Sequence, residues 1–301
     1  MRPLLSKARL LRIAVVAAVL AALLVFAAAL IVRFGPAQWD EQKPTAAGLR
    51  AHWQASVRWM REHQDLALAD GNPMLWRMVS NAAKLSGDPD LAELVRQHRT
   101  RYFTREPVDA WVLLLDPDAQ PRSTVPHRLE ELPGYMKLFA YGMTCDVALG
   151  ASDAVQHEMR LDLCRDNAAR RALRDSKCVS HQLVGFMLAQ QRGCGDAAMT
   201  KQLQDRIVDE LSIDFVVRDA HLQRVLVLYW TGAPERVKPV WLNRMLRAQR
   251  ADGGWDYDSQ YSRWISPESE FAVANFHATA QALLVIAMAM PLTEAVPTQR
   301  R

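Results

Sequence analysis

The first feature of the chain is an uncharged apolar run, Ile13 to Val32, built from Ala, Val, Leu, Ile and Phe. Twenty helical residues rise about 30 Å, the thickness of a bilayer's hydrocarbon core. The run predicts a transmembrane helix over 13–32, preceded by a basic tail (1–12) and followed by a polar linker (33–45). Beyond it, apolar positions recur with helical spacing. Leu49, Trp53, Val57 and Met60 share one face of a helix expected over Ala46–Gln64. Asn72-Pro73 and Asp88-Pro89 read as helix starts, with the polar residue as N-cap and proline in the first turn. They predict helices from Met74 to about Gly87 and onward to about Tyr102, and a short one is expected over Val108–Leu115. Asp116 to Pro133 carries four prolines and reads as a loop or lid. Further helices are expected over Tyr135–Leu149, Ala154–Leu173, Ser180–Arg192, Ala197–Leu211, Asp219–Trp230, Pro239–Gln249 and Asn275–Met290, before a flexible tail at 291–301. No stretch alternates as a strand would. Connections are short and often hold Gly or Pro, so 46–290 reads as one all-α domain of antiparallel helical hairpins.

Charge orients this arrangement. Arg2, Lys7, Arg9 and Arg12 precede the apolar run and only Arg33 closely follows it, which puts the N-terminus in the cytoplasm. The expectation is a single-pass protein of the inner membrane, with its C-terminal domain in the periplasm or outside. Trp39 is expected at the far headgroup layer. A cleaved signal peptide is the rival reading; against it, the run exceeds an h-region of about 7–15 residues and stays apolar past Ala27-Ala28-Ala29. Without the five basic residues at its N-terminal end, the chain's formal charge falls from +4 to −1 over residues 34–301. That offers no footprint for phosphate backbones, so nucleic acid is not an expected partner. The expected partners are the lipid bilayer, through one helix, and a small molecule or envelope component.

Export changes how the cysteines read. All four lie between 145 and 194, and in an oxidising compartment they point to two disulfides. A continuous helix over 180–192 separates Cys178 from Cys194 by on the order of 20 Å, too far for a bridge. The favoured pairing is Cys164–Cys178 with Cys145–Cys194; four buried free thiols are the alternative.

The most informative stretch is Leu246-Arg247-Ala248-Gln249-Arg250-Ala251-Asp252-Gly253-Gly254-Trp255. It reads as an amphipathic helix ending in a glutamine, a tight turn and an aromatic plug. This resembles the QW motif of the terpenoid cyclases and protein prenyltransferases. Downstream, Asn275-Phe276-His277-Ala278-Thr279-Ala280-Gln281-Ala282-Leu283-Leu284 looks like the inner helix that follows a QW turn in those families. The resemblance covers about residues 219–290 and implies an α/α toroid. Three helices also begin near a histidine, at 181, 221 and 277, spaced as stacked or ring-closed helix pairs would be.

Chemistry is less legible. The acidic motifs of cyclases, Asp-x-Asp-Asp and Asp-Asp-x-x-Asp, are absent, so terpene cyclisation is not expected. The prenyltransferase resemblance implies a zinc site of Asp219, His221 and His277 at the toroid mouth, with His181 as a possible fourth member. Protein prenylation itself is not expected on the exported side. The plainer reading is that these histidines bond to backbone or fill a polar cavity. The candidate cavity residues are His181, Asp219, His221, His277, Trp255 and Trp264. The segment Asp256 to Trp264, with Glu268 and Glu270, has the carboxylates and aromatics to grip or cleave a glycan; an ordinary solvated loop is the plainer and favoured reading. Arg170-Arg171 and Arg96, Arg99 and Arg101 read as solvated faces, and Trp53, Trp59, Trp76, Trp111, Trp230 and Trp241 as core. Two function classes follow: a ligand-binding protein, with or without metal-assisted activity, and a non-catalytic envelope scaffold.

Overall fold

The computed structural model describes residues 7–34, 39–104, 109–164, 176–256 and 275–294. Its helices are α1 (Lys7–Phe34), α2 (Ala46–Glu62), α3 (Gln64–Ala69), α4 (Pro73–Ser86), α5 (Pro89–Tyr102), α6 (Gly134–Thr144), α7 (Val147–Gly150), α8 (Asp153–Met159), α9 (Cys178–Arg192), α10 (Ala197–Ile213), α11 (Asp219–Trp230), α12 (Pro239–Arg247) and α13 (Phe276–Glu294). No strand occurs among the described residues, and the fold is all-α as expected.

Local signals set most boundaries. Asn72 caps α4 by accepting from the Met74 amide, and Asp88 caps α5 through the Asp90 and Leu91 amides. Differences arise where tertiary contacts intervene. The expected helix over 135–149 breaks at Cys145, whose φ of 50° is left-handed, into α6 and α7. Val108–Leu115 narrows to a 3-10 turn, Ala110–Leu114. The helix expected over 154–173 ends at Met159; residues 165–175, with Arg170 and Arg171, lie outside the described residues. α13 runs on through Pro291 to Glu294, because a proline in the last turn removes a single backbone bond.

The 28-residue helix α1 covers the whole apolar run. Among the described residues no helix is long and apolar enough to cross a membrane. In α1 the described side chains run from Arg12 to Ala28, short of the last four residues of the expected span. Within them, Val16, Leu24, Val25 and Phe26 are exposed. The ring of Trp39 lies 5.4 Å from that of Phe215.

The helices α4, α6, α9, α11 and α13 run in one direction. Tyr135 meets His181, and Cys145 meets Cys194, so α6 and α9 start and finish together. Ser180 bonds Gln223 and Asp219 bonds Gln281, which continues the parallel order through α11 to α13. Trp76 packs on Phe276, while Lys84 and Met288 line one hollow further along, which adds α4. Parallel neighbours require the chain to return between them, and α5, α10 and α12 supply the return. α11 is buried along its whole length, whereas α10 buries one face. Neighbours follow the order α4, α13, α11, α9, α6, and the 3-10 turn at Ala110–Leu114 touches both α6 and α4. α2, the first helix of the domain, packs on α13, the last.

α6 and α9 pack closely because glycines face each other. A Cβ on Gly142 would lie 2.6 Å from the Gly185 carbonyl oxygen, and one on Gly185 would lie 2.4 Å from Leu138. Cys145–Cys194 then ties the far ends of this pair, and Cys164–Cys178 fastens the start of α9. This is the favoured pairing from the sequence. The two bridges place the domain in an oxidising, extracytoplasmic compartment. The core holds Trp53, Trp59, Trp76, Trp230, Trp241 and Trp255, while Trp111 is only partly buried against it.

Candidate functional site at the helix N-termini

Because the parallel helices α6, α9, α11 and α13 start at one end, their first turns converge there. Asp219, the first residue of α11, is 1 % exposed. Its carboxylate accepts from Gln281 Nε2 of α13 at 2.8 Å and pairs with Lys177 Nζ, just before α9, at 2.6 Å. His277 Nε2, at the start of α13, lies 3.8 Å from Asp219 Oδ1. The side chains of Lys177 and His277 are 32 % and 30 % exposed, so a ligand can reach the partners of a carboxylate that is itself enclosed. His181 of α9 stacks on Tyr135 of α6, with ring centroids 4.2 Å apart, and presents its ring edge-on to Phe139. Burial of this imidazole, reinforced by the Lys177 charge, pushes its pKa down to about 4 despite the opposing pull of Asp219. His181 is therefore neutral at pH 7. Gln281 is wholly buried, and its Oε1 has no hydrogen-bond partner among the described residues.

His221 does not join this group. At about 100° per residue, positions 219 and 221 of one helix point about 200° apart. The His221 ring faces α12, with Nε2 3.3 Å from the Trp241 carbonyl oxygen and Nδ1 3.5 Å from Asp214 Oδ2. It belongs to a separate buried network centred on Arg224. The Arg224 guanidinium donates to Glu210 at 2.7 Å, to Asp214 at 2.6 Å and to the Ser176 carbonyl at 2.9 Å. Burial alone would raise the Asp214 pKa, but His221 and Arg224 together hold it below the usual carboxylate value. Arg244 donates to the Asp214 carbonyl at 3.1 Å. These bonds join α10, α11 and α12.

The expected zinc triad of Asp219, His221 and His277 is thus corrected. Two of its members share a site and the third points the other way. Among the described residues no group of three or more His, Cys, Asp or Glu side chains could hold a metal ion.

The QW-like turn has a structural task. Gln249 Nε2 donates to the carbonyl oxygens of His52 (3.0 Å) and Gly253 (2.8 Å) and to Ser56 Oγ (3.1 Å). Its Oε1 lies 2.5 Å from His52 Nδ1. Trp255, fully buried, donates Nε1 to the Met245 carbonyl and its backbone amide to Thr279. This fastens α12, α13 and α2 beside the cluster. Gly253 has φ +98°, and a Cβ there would lie 2.2 Å from the Ala55 carbonyl oxygen. Trp255 is therefore a core plug and does not line the cluster. Asp256 is buried against Arg250 at 3.1 Å, while Trp264, Glu268 and Glu270 lie outside the described residues.

Sequence inspection picked out His181, Asp219 and His277 but passed over Lys177, Tyr135 and Gln281. The available signal was the i, i+4 rule: Lys177 precedes His181 by four residues, and Gln281 follows His277 by four. A separate hollow lies elsewhere among the described residues. It is a groove of about 630 Å³ between α4 and α5, floored by Ala92, Val95 and Phe103. At its rim, Arg96 and Arg99 are paired with Glu93 and Asp116. No family model, curated protein or solved structure matches the chain.

Proposed function

We propose that this chain is a membrane-tethered, extracytoplasmic α/α toroid whose mouth binds a small molecule or envelope component through Lys177, His181, Asp219 and His277. One observation carries the binding reading. The buried carboxylate of α11 is held by polar groups from α13 and from the residue before α9, and two of those groups reach the surface. Fixed partners of this kind pre-organise a polar site, so little ordering remains to be done on binding. Lys177 supplies a cationic contact, neutral His181 a hydrogen bond and a flat ring face, and Asp219 orients the His277 ring.

The toroid reading rests on the parallel inner helices, their order of contact, and the packing of α2 on α13. The resemblance to the cyclase and prenyltransferase families rests on the QW-like turn, where Gln249 and Trp255 lock an outer helix to the next inner one. The tether reading rests on the length of α1, its exposed apolar side chains and the basic residues before it.

The test is a thermal-shift and calorimetric screen of the full chain in detergent. Phosphosugars, lipid headgroups and peptidoglycan fragments serve as probes. A binder should lose at least tenfold in affinity in Lys177→Met and in His277→Ala while both variants stay folded. Unchanged binding in both would remove the mouth from consideration, and a screen without any binder would favour the scaffold.

A further inference from the structure

The chain leaving α1 is fastened to the domain within a few residues. The Trp39 ring packs on Phe215 and lies 6.0 Å from the Arg244 guanidinium. Asn243 Nδ2 donates to the carbonyls of Asp40 and Gln42 at 2.9 and 2.7 Å, and Arg247 pairs with Asp40 at 3.0 Å. These receiving groups lie toward one end of the domain. Phe215 stands four residues before Asp219, and Arg247 stands two residues before the Gln249 turn, whose Trp255 carbonyl accepts from Asn275 at the start of α13. That is the end where α6, α9, α11 and α13 begin.

From Phe34 to Trp39 the chain makes five residue steps, which reach at most about 18 Å. The opposite end of α9 lies a further helix length away, about 22 Å for its 15 residues. Contacts from Trp39, Asp40 and Gln42 also limit rotation, as a free polar linker would not.

We propose that this docked segment holds the domain mouth-first against the bilayer, so that the ligand of Lys177, Asp219 and His277 is the headgroup of a membrane-borne amphiphile. The inference rests on the tether and ligand readings above. The partly exposed Lys177 ammonium at that end supplies the cationic contact a phosphate-bearing headgroup would meet.

The test uses the full chain in phosphatidylglycerol vesicles, with a photo-crosslinking residue at exposed Ala251 on the mouth rim or at exposed Gln190 near the opposite end. Lipid adducts at 251 should exceed those at 190 by at least tenfold, and the Trp39→Ala/Asp40→Ala pair should bring the two yields together. Equal yields, or a larger yield at 190, in protein that floats with vesicles would overturn the proposed orientation and leave the tether standing. Protein that does not float overturns the tether and this proposal together. A crosslinker at Tyr135 should capture phosphatidylglycerol in the native sequence and several-fold less in Lys177→Met. Equal capture in the two would overturn the headgroup assignment alone.

Discussion

The ammonium of Lys177 lies 2.6 Å from the carboxylate of Asp219, joining the residue before α9 to the first residue of α11. One partner is buried and the other is a third exposed, so the pair behaves differently according to which side is removed. Lys177→Met leaves a buried carboxylate that keeps Gln281 and His277 beside it but loses its cation. We expect a loss of about 1–3 kcal/mol, below the full value for breaking a buried pair because solvent reaches Lys177. Asp219→Asn in the same background should recover much of it. Urea denaturation of the four combinations measures the coupling, and strict additivity would show that the pair is energetically idle.

Arg224 should be less forgiving. It pairs with both Glu210 and Asp214 where all three side chains are buried, so Arg224→Met removes a cation from two buried carboxylates. The expected cost is about 3–5 kcal/mol. Arg224→Lys should rescue little, since a single ammonium on a shorter stem cannot span acceptors that Nε, Nη1 and Nη2 reach separately. Chemical denaturation would decide, with a lysine variant as stable as the native chain counting against this account.

Acid should weaken the fold through two histidines. Burial pushes the pKa values of His181 and His98 down to about 4, and His98 stacks on Trp76 with ring centroids 4.3 Å apart. In the unfolded chain each would titrate near about 6.5. The unfolded state then binds more protons between these values. The contribution is complete above pH 6.5 and lost as pH falls towards 4, by at most roughly 3 kcal/mol per histidine. His181→Gln and His98→Phe should each flatten the stability profile over that window, and melting curves from pH 7 to 4 provide the check.

Gly253→Ala tests the turn that resembles a QW motif. Both its positive φ and the Ala55 carbonyl oppose a side chain there, and displacing the turn would disturb the Gln249 bonds to α2. A destabilisation of about 2–4 kcal/mol is expected. Gly254→Ala serves as the comparison, and equal melting temperatures for native and Gly253→Ala protein would refute the steric reading.

Reduction should separate the two bridges. Loop-closure entropy assigns about 4 kcal/mol to Cys145–Cys194, which spans 49 residues, and about 3 kcal/mol to Cys164–Cys178, which spans 14. Denaturation of the paired serine variants would show whether the longer loop matters more.

Helix positions were readable from the chain alone because their causes are local. Asn72 and Asp88 reach amides two or three residues away, and the face shared by Leu49, Trp53, Val57 and Met60 follows from one helix's pitch. One of the three cysteine pairings could be excluded for a related reason: the length of one helix ruled out a bridge between its ends, and of the two that remained the favoured one is present. Asp219, His181 and His277 stood out because they begin helices. Which of them meet was a tertiary matter. His221, only two residues from Asp219, turns to Asp214 and Trp241, while Lys177 and Gln281 arrive from neighbouring helices. The docking of Trp39 on Phe215 belongs to the same class. Periodicity records which face of a helix is apolar; the neighbour opposite that face, and the groups its polar edge meets, depend on contacts between residues far apart in the chain.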